Sequence, residues 1–236
     1  MYHMVSEHRT KARFNKLRVR PRAFAEQINW LKEEGFRFVF ASELADHGNL
    51  ADRTVCLTFD DGYADNLAAA DPVLEACGAK ATLYLPEDRT GGWSSKKKAH
   101  HADDELALEP KLTDEQVRTM LANGRWELGA HSATHANLPT LDQAEAFVEI
   151  TGARKNFAAI FGATPMTFAY PFGLYSSRDA GLVYEAGYVA AMTTEPGIQS
   201  PDNWNLLELS RIKVSGKDSL FSFKLRINGG KRGLQK

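Results

Sequence analysis

Apolar residues recur along the chain at two alternating periods. Helical spacing is clearest in residues 21–35, where Phe24, Ile28 and Leu31 share one face between a leading proline and a closing glycine. Helices are also expected over 64–78, bent near Pro72 and ended by Gly78, over 142–161 and over 176–186. A further helix over 112–124 opens on Thr113 with Gln116 three residues later, the spacing of a capping box. Between these lie short apolar runs of strand formers: 1–5, 37–41, 53–59, 80–86, 125–130, 166–171, 188–193 and 207–214. Strands that alternate with helices predict a parallel sheet covered by helices. Seven or eight such units in one chain of 236 residues predict a barrel rather than an open sheet. The expectation is a single α/β domain over 1–236, a distorted (β/α) barrel of about seven parallel strands.

The stretch 87–111 breaks this rhythm. It is polar, with "TGGWSSKKKAHH" at its centre, and reads as a long surface loop: either a lid or a solvated insertion. Its triple lysine reads as a solvated face, and His100 and His101 are not taken as ligands. From Phe221 onward the chain is basic and reads as a tail or a final short helix.

Composition narrows the function classes. The 29 Lys+Arg balance 30 Asp+Glu, so nothing points to nucleic acid or an anionic membrane. Cys56 and Cys77 are too few for a disulfide framework or a metal knuckle, and Cys56 reads as a buried core thiol. No segment is apolar enough to span a bilayer, and "MYHMV" lacks the features of a signal peptide. The chain as given is expected to be cytoplasmic, or extracytoplasmic if it is a trimmed piece. Oligomeric state is not legible.

The polar clusters follow the strands, where α/β barrels place their chemistry. Asp60 and Asp61 end the run "LTFDDG". On a regular strand adjacent side chains point apart, but Gly62 permits a sharp turn that brings both carboxylates to one mouth. "HSATH", residues 131–135, follows another strand, and its two histidines at i and i+4 would share one face of a helical turn and grip one metal. One aspartate of the pair would complete a two-histidine, one-carboxylate site with open positions, and the other would serve as base.

These residues resemble the NodB-homology polysaccharide deacetylases. "TFDDG" is similar to that family's first motif, "HSATH" to its second, and "YPFG" (170–173) to the core of its third. The resemblance implies Asp60 as general base, Asp61, His131 and His135 as ligands of a divalent metal, and hydrolysis of an acetyl group on a sugar. Zn²⁺ is the first choice of metal, with Co, Ni, Mn or Fe as alternatives. Tyr170, Pro171, Phe172 and Gly173 would line the substrate groove, with the Phe172 N–H in the oxyanion hole. Tyr63, Tyr170 and Trp204 would offer sugar rings an apolar face.

Two positions depart from the family pattern. Ala169 stands where an arginine paired with the catalytic aspartate is usual, and the last strand, "LELSRIKV", lacks the usual acid histidine. The branch acting on poly-N-acetylglucosamine looks circularly permuted, with its acid in an N-terminal "YH" motif. This chain is similar to that branch, which implies His3 as general acid and Arg211 as the cation beside Asp60. The expected partner is an acetylated amino-sugar substrate. Two other readings stand beside this one: a C–N hydrolase for a small cyclic amide or imide, and a metal-bearing carbohydrate-binding module without catalysis.

Overall fold

The computed structural model describes residues 1–89, 105–200 and 204–229. Two short parallel pairs stand beside the main sheet: β1 (Met4–Val5) with β2 (Arg18–Val19), and β3 (Arg37–Phe38) with β4 (Thr54–Val55). The main sheet is wholly parallel and runs in sequence order: β5 (Leu57–Asp60), β6 (Ala81–Leu85), β7 (Trp126–Ala130), β8 (Thr167–Ala169) and β9 (Ala190–Met192). Its register sets Asp60 opposite Tyr84, Leu85 opposite Ala130, and Ala169 opposite Met192.

Alternation along these strands builds two apolar layers. Leu83, Phe168 and Ala191 face the large outer core under the helices, whereas Tyr84, Ala169, Ala190 and Met192 form a small inner cluster with Ala41 and Leu209. Both faces are buried, which is why the strands read as continuous apolar runs.

The sheet curls into a half-barrel. Tyr2 bridges Phe59 at one edge and Leu209 bridges Met192 at the other. The Met1 ammonium donates to the Ile212 carbonyl at 2.9 Å, and the Val214 N–H returns to the Met1 carbonyl at 3.1 Å. The N-terminal residues and the 209–214 segment thus cross the open side. A regular strand over 207–214 does not form, and the main sheet has five strands rather than seven. The physical reason is divided pairing: Leu209 and Arg211 bond toward the β9 side, while Ile212 and Val214 bond to Met1, so no ladder runs long enough.

The helices follow their sequence signals closely. They are α1 (Pro21–Glu33), α2 (Asp71–Cys77), α3 (Asp114–Ala122), α4 (Gln143–Phe161), α5 (Ser177–Glu185) and α6 (Leu220–Gly229). Reciprocal capping boxes open three of them, at Thr113–Gln116, Asp142–Glu145 and Ser176–Asp179. The bend near Pro72 is a widened π-type turn over Asn66–Ala70, where the missing proline donor would interrupt regular helix. α6 packs Phe223 edge-on against Trp30 of α1 at 5.9 Å, so the basic end begins as a docked helix. Among the described residues no helix is long and apolar enough to cross a membrane.

Candidate active site

The carboxyl ends of the parallel strands open into one cavity of about 810 Å³. His3, Asp60, Asp61, His131, His135, Tyr170 and Phe172 all line it. The turn after β5 involves two residues in left-handed backbone, Asp61 itself (φ 76°) as well as Gly62 (φ 64°). That reversal brings both carboxylates to one mouth.

Asp60 is gripped by Arg211. The guanidinium donates to its two oxygens at 2.7 and 2.9 Å, and both side chains are about 5% exposed or less. Arg211 also donates to the Thr58 hydroxyl at 3.3 Å and to the Thr193 carbonyl at 2.7 Å, so its own position is fixed. Burial alone would raise the Asp60 carboxyl; Arg211, with help from His131 and His3, outweighs it and holds the group below the usual carboxylate range.

Asp61 faces the histidines. Its Oδ1 lies 3.5 Å from His131 Nε2 and 3.3 Å from His135 Nε2. His131 Nδ1 lies 2.6 Å from the Ala169 carbonyl. A carbonyl can only accept, so Nδ1 carries a proton, and the ring is oriented with Nε2 facing Asp61. The His135 ring packs edge-on against Phe172 at 4.5 Å. One ligating atom each from Asp61, His131 and His135 falls within 4.8 Å of the others, and all three residues are buried. Two imidazoles with one carboxylate, one imidazole already oriented by a backbone acceptor, fit a divalent transition metal. Burial would lift the Asp61 carboxyl, but the facing imidazoles hold it well below its ordinary value.

The histidines do not converge by the expected helical turn. Residues 131–135 form a loop in which Ser132 (φ 62°) and His135 (φ 56°) are left-handed. Strand β7 feeds directly into this loop, and the Ser132 and Ala133 carbonyls accept from Glu87 and Asp88, so no helical ladder is available.

His3 comes in from the N-terminal segment. Its Nε2 lies 4.0 Å from Asp61 Oδ2, and its side chain is 16% exposed. Asn66 Nδ2 holds the His3 carbonyl at 2.8 Å. Burial lowers the His3 imidazole, against the pull of Asp61 and Asp60. Lys111 donates to the Asp61 carbonyl at 3.2 Å. Neither Asn66 nor Lys111 carries a sequence signal of its own, since both act through backbone atoms of distant residues.

Of the "YPFG" run, Phe172 reaches the cavity with a left-handed backbone (φ 59°). Tyr170 borders it but is buried, with its hydroxyl on the Leu207 carbonyl at 3.0 Å and its ring stacked on Tyr175 at 4.4 Å. Pro171 is buried and Gly173 takes φ 69°.

Two expected sugar platforms are corrected. Tyr63 is 1% exposed, packs with Met4 and Leu106, and carries the Lys111 ammonium 3.4 Å from its ring centre. Its aromatic face is already covered. Trp204 stacks on His47 at 5.0 Å and lines a separate cavity of about 430 Å³. Cys56 is a free thiol that burial pushes up to about 12, in keeping with an unreactive group. The centre of the expected loop, with His100 and His101, lies outside the described residues.

The family model described as polysaccharide deacetylase matches residues 47–191. The protein YxkH of Bacillus subtilis (strain 168) is 30% identical over 219 residues, covering 91% of this chain and 70% of its own length. The poly-beta-1,6-N-acetyl-D-glucosamine N-deacetylase of Escherichia coli (strain K12) is 25% identical over 262 residues; the match takes in 96% of this chain but only 38% of that protein. The Streptococcus pyogenes deacetylase PplD, solved in complex with acetate, has the same fold at a TM-score of 0.77 and 24% identity, with 93% of this chain and 92% of that one covered. The chain belongs to the polysaccharide deacetylase family.

Proposed function

We propose that this chain is a divalent-metal-dependent deacetylase that hydrolyses the N-acetyl group of an amino sugar within an oligosaccharide, a polysaccharide or a glycan precursor. One observation carries the reading: an Arg211-clamped Asp60 stands beside the Asp61–His131–His135 triad in a shared cavity, with His3 across from them. A metal-binding module without chemistry would need only the triad. A cavity of about 810 Å³ is larger than a small cyclic imide fills, which favours a sugar.

Asp61, His131 and His135 would hold the metal. When bound there, the ion supplies Lewis acidity toward water and the acetyl carbonyl, with Zn²⁺ the first candidate and Co, Ni, Mn or Fe the alternatives. Asp60, kept ionised by Arg211, takes the proton of the attacking water. The Phe172 N–H donates to the oxygen that gains charge. His3 delivers a proton to the sugar nitrogen as the C–N bond breaks, leaving acetate and a free amine. Two partners from outside residues 47–191 support this division of labour: His3 reaches the cavity, and Arg211 reaches the Asp60 carboxylate.

The test is acetate release from N-acetylglucosamine oligomers by Zn²⁺-loaded protein, beside a chelated sample and an Asp60→Asn variant. Release abolished in both controls is expected. Release that survives chelation would overturn the metal-dependent reading.

A further inference from the structure

One wall of the cavity is lined by Lys16, Lys213 and Lys217, all exposed, together with Phe14 and Leu17. The two segments that carry the lysines are tied together. The Gly216 N–H donates to the Lys16 carbonyl at 2.9 Å, and a Cβ at position 216 would run into the Arg18 carbonyl, so only glycine permits the approach. Arg226 of α6 braces the wall from behind: it donates to the Lys213 carbonyl and pairs with Asp218, which also accepts from the Ser215 N–H at 2.6 Å. The lysines therefore stand on a fixed frame rather than on an unsupported loop.

Two charges on this wall, Lys16 and Lys217, are not balanced by a carboxylate lining the cavity. Among the described residues lining it, the carboxylates are Asp60 and Asp61. Asp60 is committed to Arg211, and Asp61 faces the two histidines. Arg226 is paired with Asp218, and neither Lys16 nor Lys217 has an ion-pair partner among the described residues. A neutral glycan would gain no charge attraction from such a wall, whereas an acidic one would be drawn to it.

We infer that the acetylated amino sugar is presented within an anionic glycan, and that Lys16 and Lys217 bind a carboxylate or phosphate next to the sugar that loses its acetyl group. Phe14 and Leu17 supply the apolar contact between those charges. The acetyl chemistry in this statement rests on the deacetylase reading; the charge preference does not.

Fluorescence anisotropy with the full chain, with and without Zn²⁺, tests it. Three labelled probes of matched length are compared: an N-acetylglucosamine oligomer (neutral), a hyaluronan oligosaccharide (carboxylate) and an N-acetylglucosamine 1-phosphate oligomer (phosphate). At least one acidic probe should bind about tenfold tighter than the neutral one at low ionic strength, and the preference should collapse as salt shortens the screening length. Whichever acidic probe binds tighter names the source of the charge. Replacing Lys16 and Lys217 with glutamine should bring the acidic probes to the neutral affinity and leave the neutral probe unchanged; replacement with arginine should keep the preference. Equal affinity for all three probes, or a preference that survives the glutamine variant, would overturn the inference. Acetate release is read in parallel with Zn²⁺-loaded protein. Turnover without a charge preference would leave the deacetylase reading standing alone. A charge preference without turnover of any probe would do the reverse.

Discussion

Replacing Arg211 with methionine leaves a buried carboxylate without its cation. The loss can be worked from the geometry. Two charge-assisted bonds to Asp60 vanish, at 2.7 and 2.9 Å, with the bonds to Thr58 and to the Thr193 carbonyl. Asp60 is about 3% exposed, so the water of the cavity replaces them only in part. Removing one partner of a buried pair costs about 3–5 kcal/mol. Removing both is cheaper, because no charge is then left alone: the Asp60→Asn, Arg211→Met double variant should recover at least about 2 kcal/mol relative to the sum of the single losses. The assay is urea unfolding of chelated wild type, both single variants and the double variant, followed by tryptophan fluorescence. Chelation keeps metal binding out of the comparison. An Arg211→Met loss under about 1 kcal/mol, or additive single variants, would refute the reasoning, since the pair would then not be coupled.

His3→Ala should reduce acetate release on the order of 10²–10⁴-fold with little change in unfolding midpoint, and a near-wild-type rate would remove His3 as the acid. Asp71 receives Trp126 Nε1 at 2.7 Å, Arg125 at 3.0 and 3.2 Å and Asn123 at 3.1 Å. Burial alone would raise its carboxyl, but Arg125 and Trp126 outweigh it and hold the group below its usual range. Asp71→Ala should therefore cost about 2 kcal/mol at neutral pH, and the difference from wild type should shrink as pH falls from about 4, where the unfolded carboxyl takes up its proton, down through the lower folded value. Tyr63→Phe should leave KM and kcat near wild type, because the ring faces Lys111 rather than substrate and its hydroxyl is buried without a hydrogen-bond partner; a raised KM would restore Tyr63 to the sugar site.

Helix boundaries were legible because their causes are local. Thr113 and Gln116 close a capping box within one turn, and Gly78 (φ 64°) ends α2 where a left-handed residue is needed. The Asp60–Asp61 and His131–His135 clusters were legible as chemistry because they follow strands. Their convergence was not, since left-handed backbone at Asp61, Ser132 and His135 is imposed by the packed sheet and has no strong sequence mark outside glycine. Arg211 reaches Asp60 across 151 residues, so the contact itself is purely tertiary. Tyr63 misled for a related reason: it sits next to the site in sequence, yet the cover over its ring comes from Lys111, Met4 and Leu106. The lysine wall escaped notice because Lys16 and Lys217 are brought together only by the Gly216 approach.

Four of the six non-glycine left-handed residues among those described are at the site: Asp61, Ser132, His135 and Phe172. Each is disfavoured by about 1 kcal/mol or more in a free chain, so nothing in the unfolded ensemble prepares this mouth. The strands and their helices must be in place before these turns are held. During refolding, the tryptophan signals of the core should therefore recover before the chain becomes competent to bind an ion, and an ion added at the start should leave the folding rate unchanged while slowing unfolding. Resistance to unfolding would then depend on occupancy of the site, while the speed of folding would depend on the sheet alone.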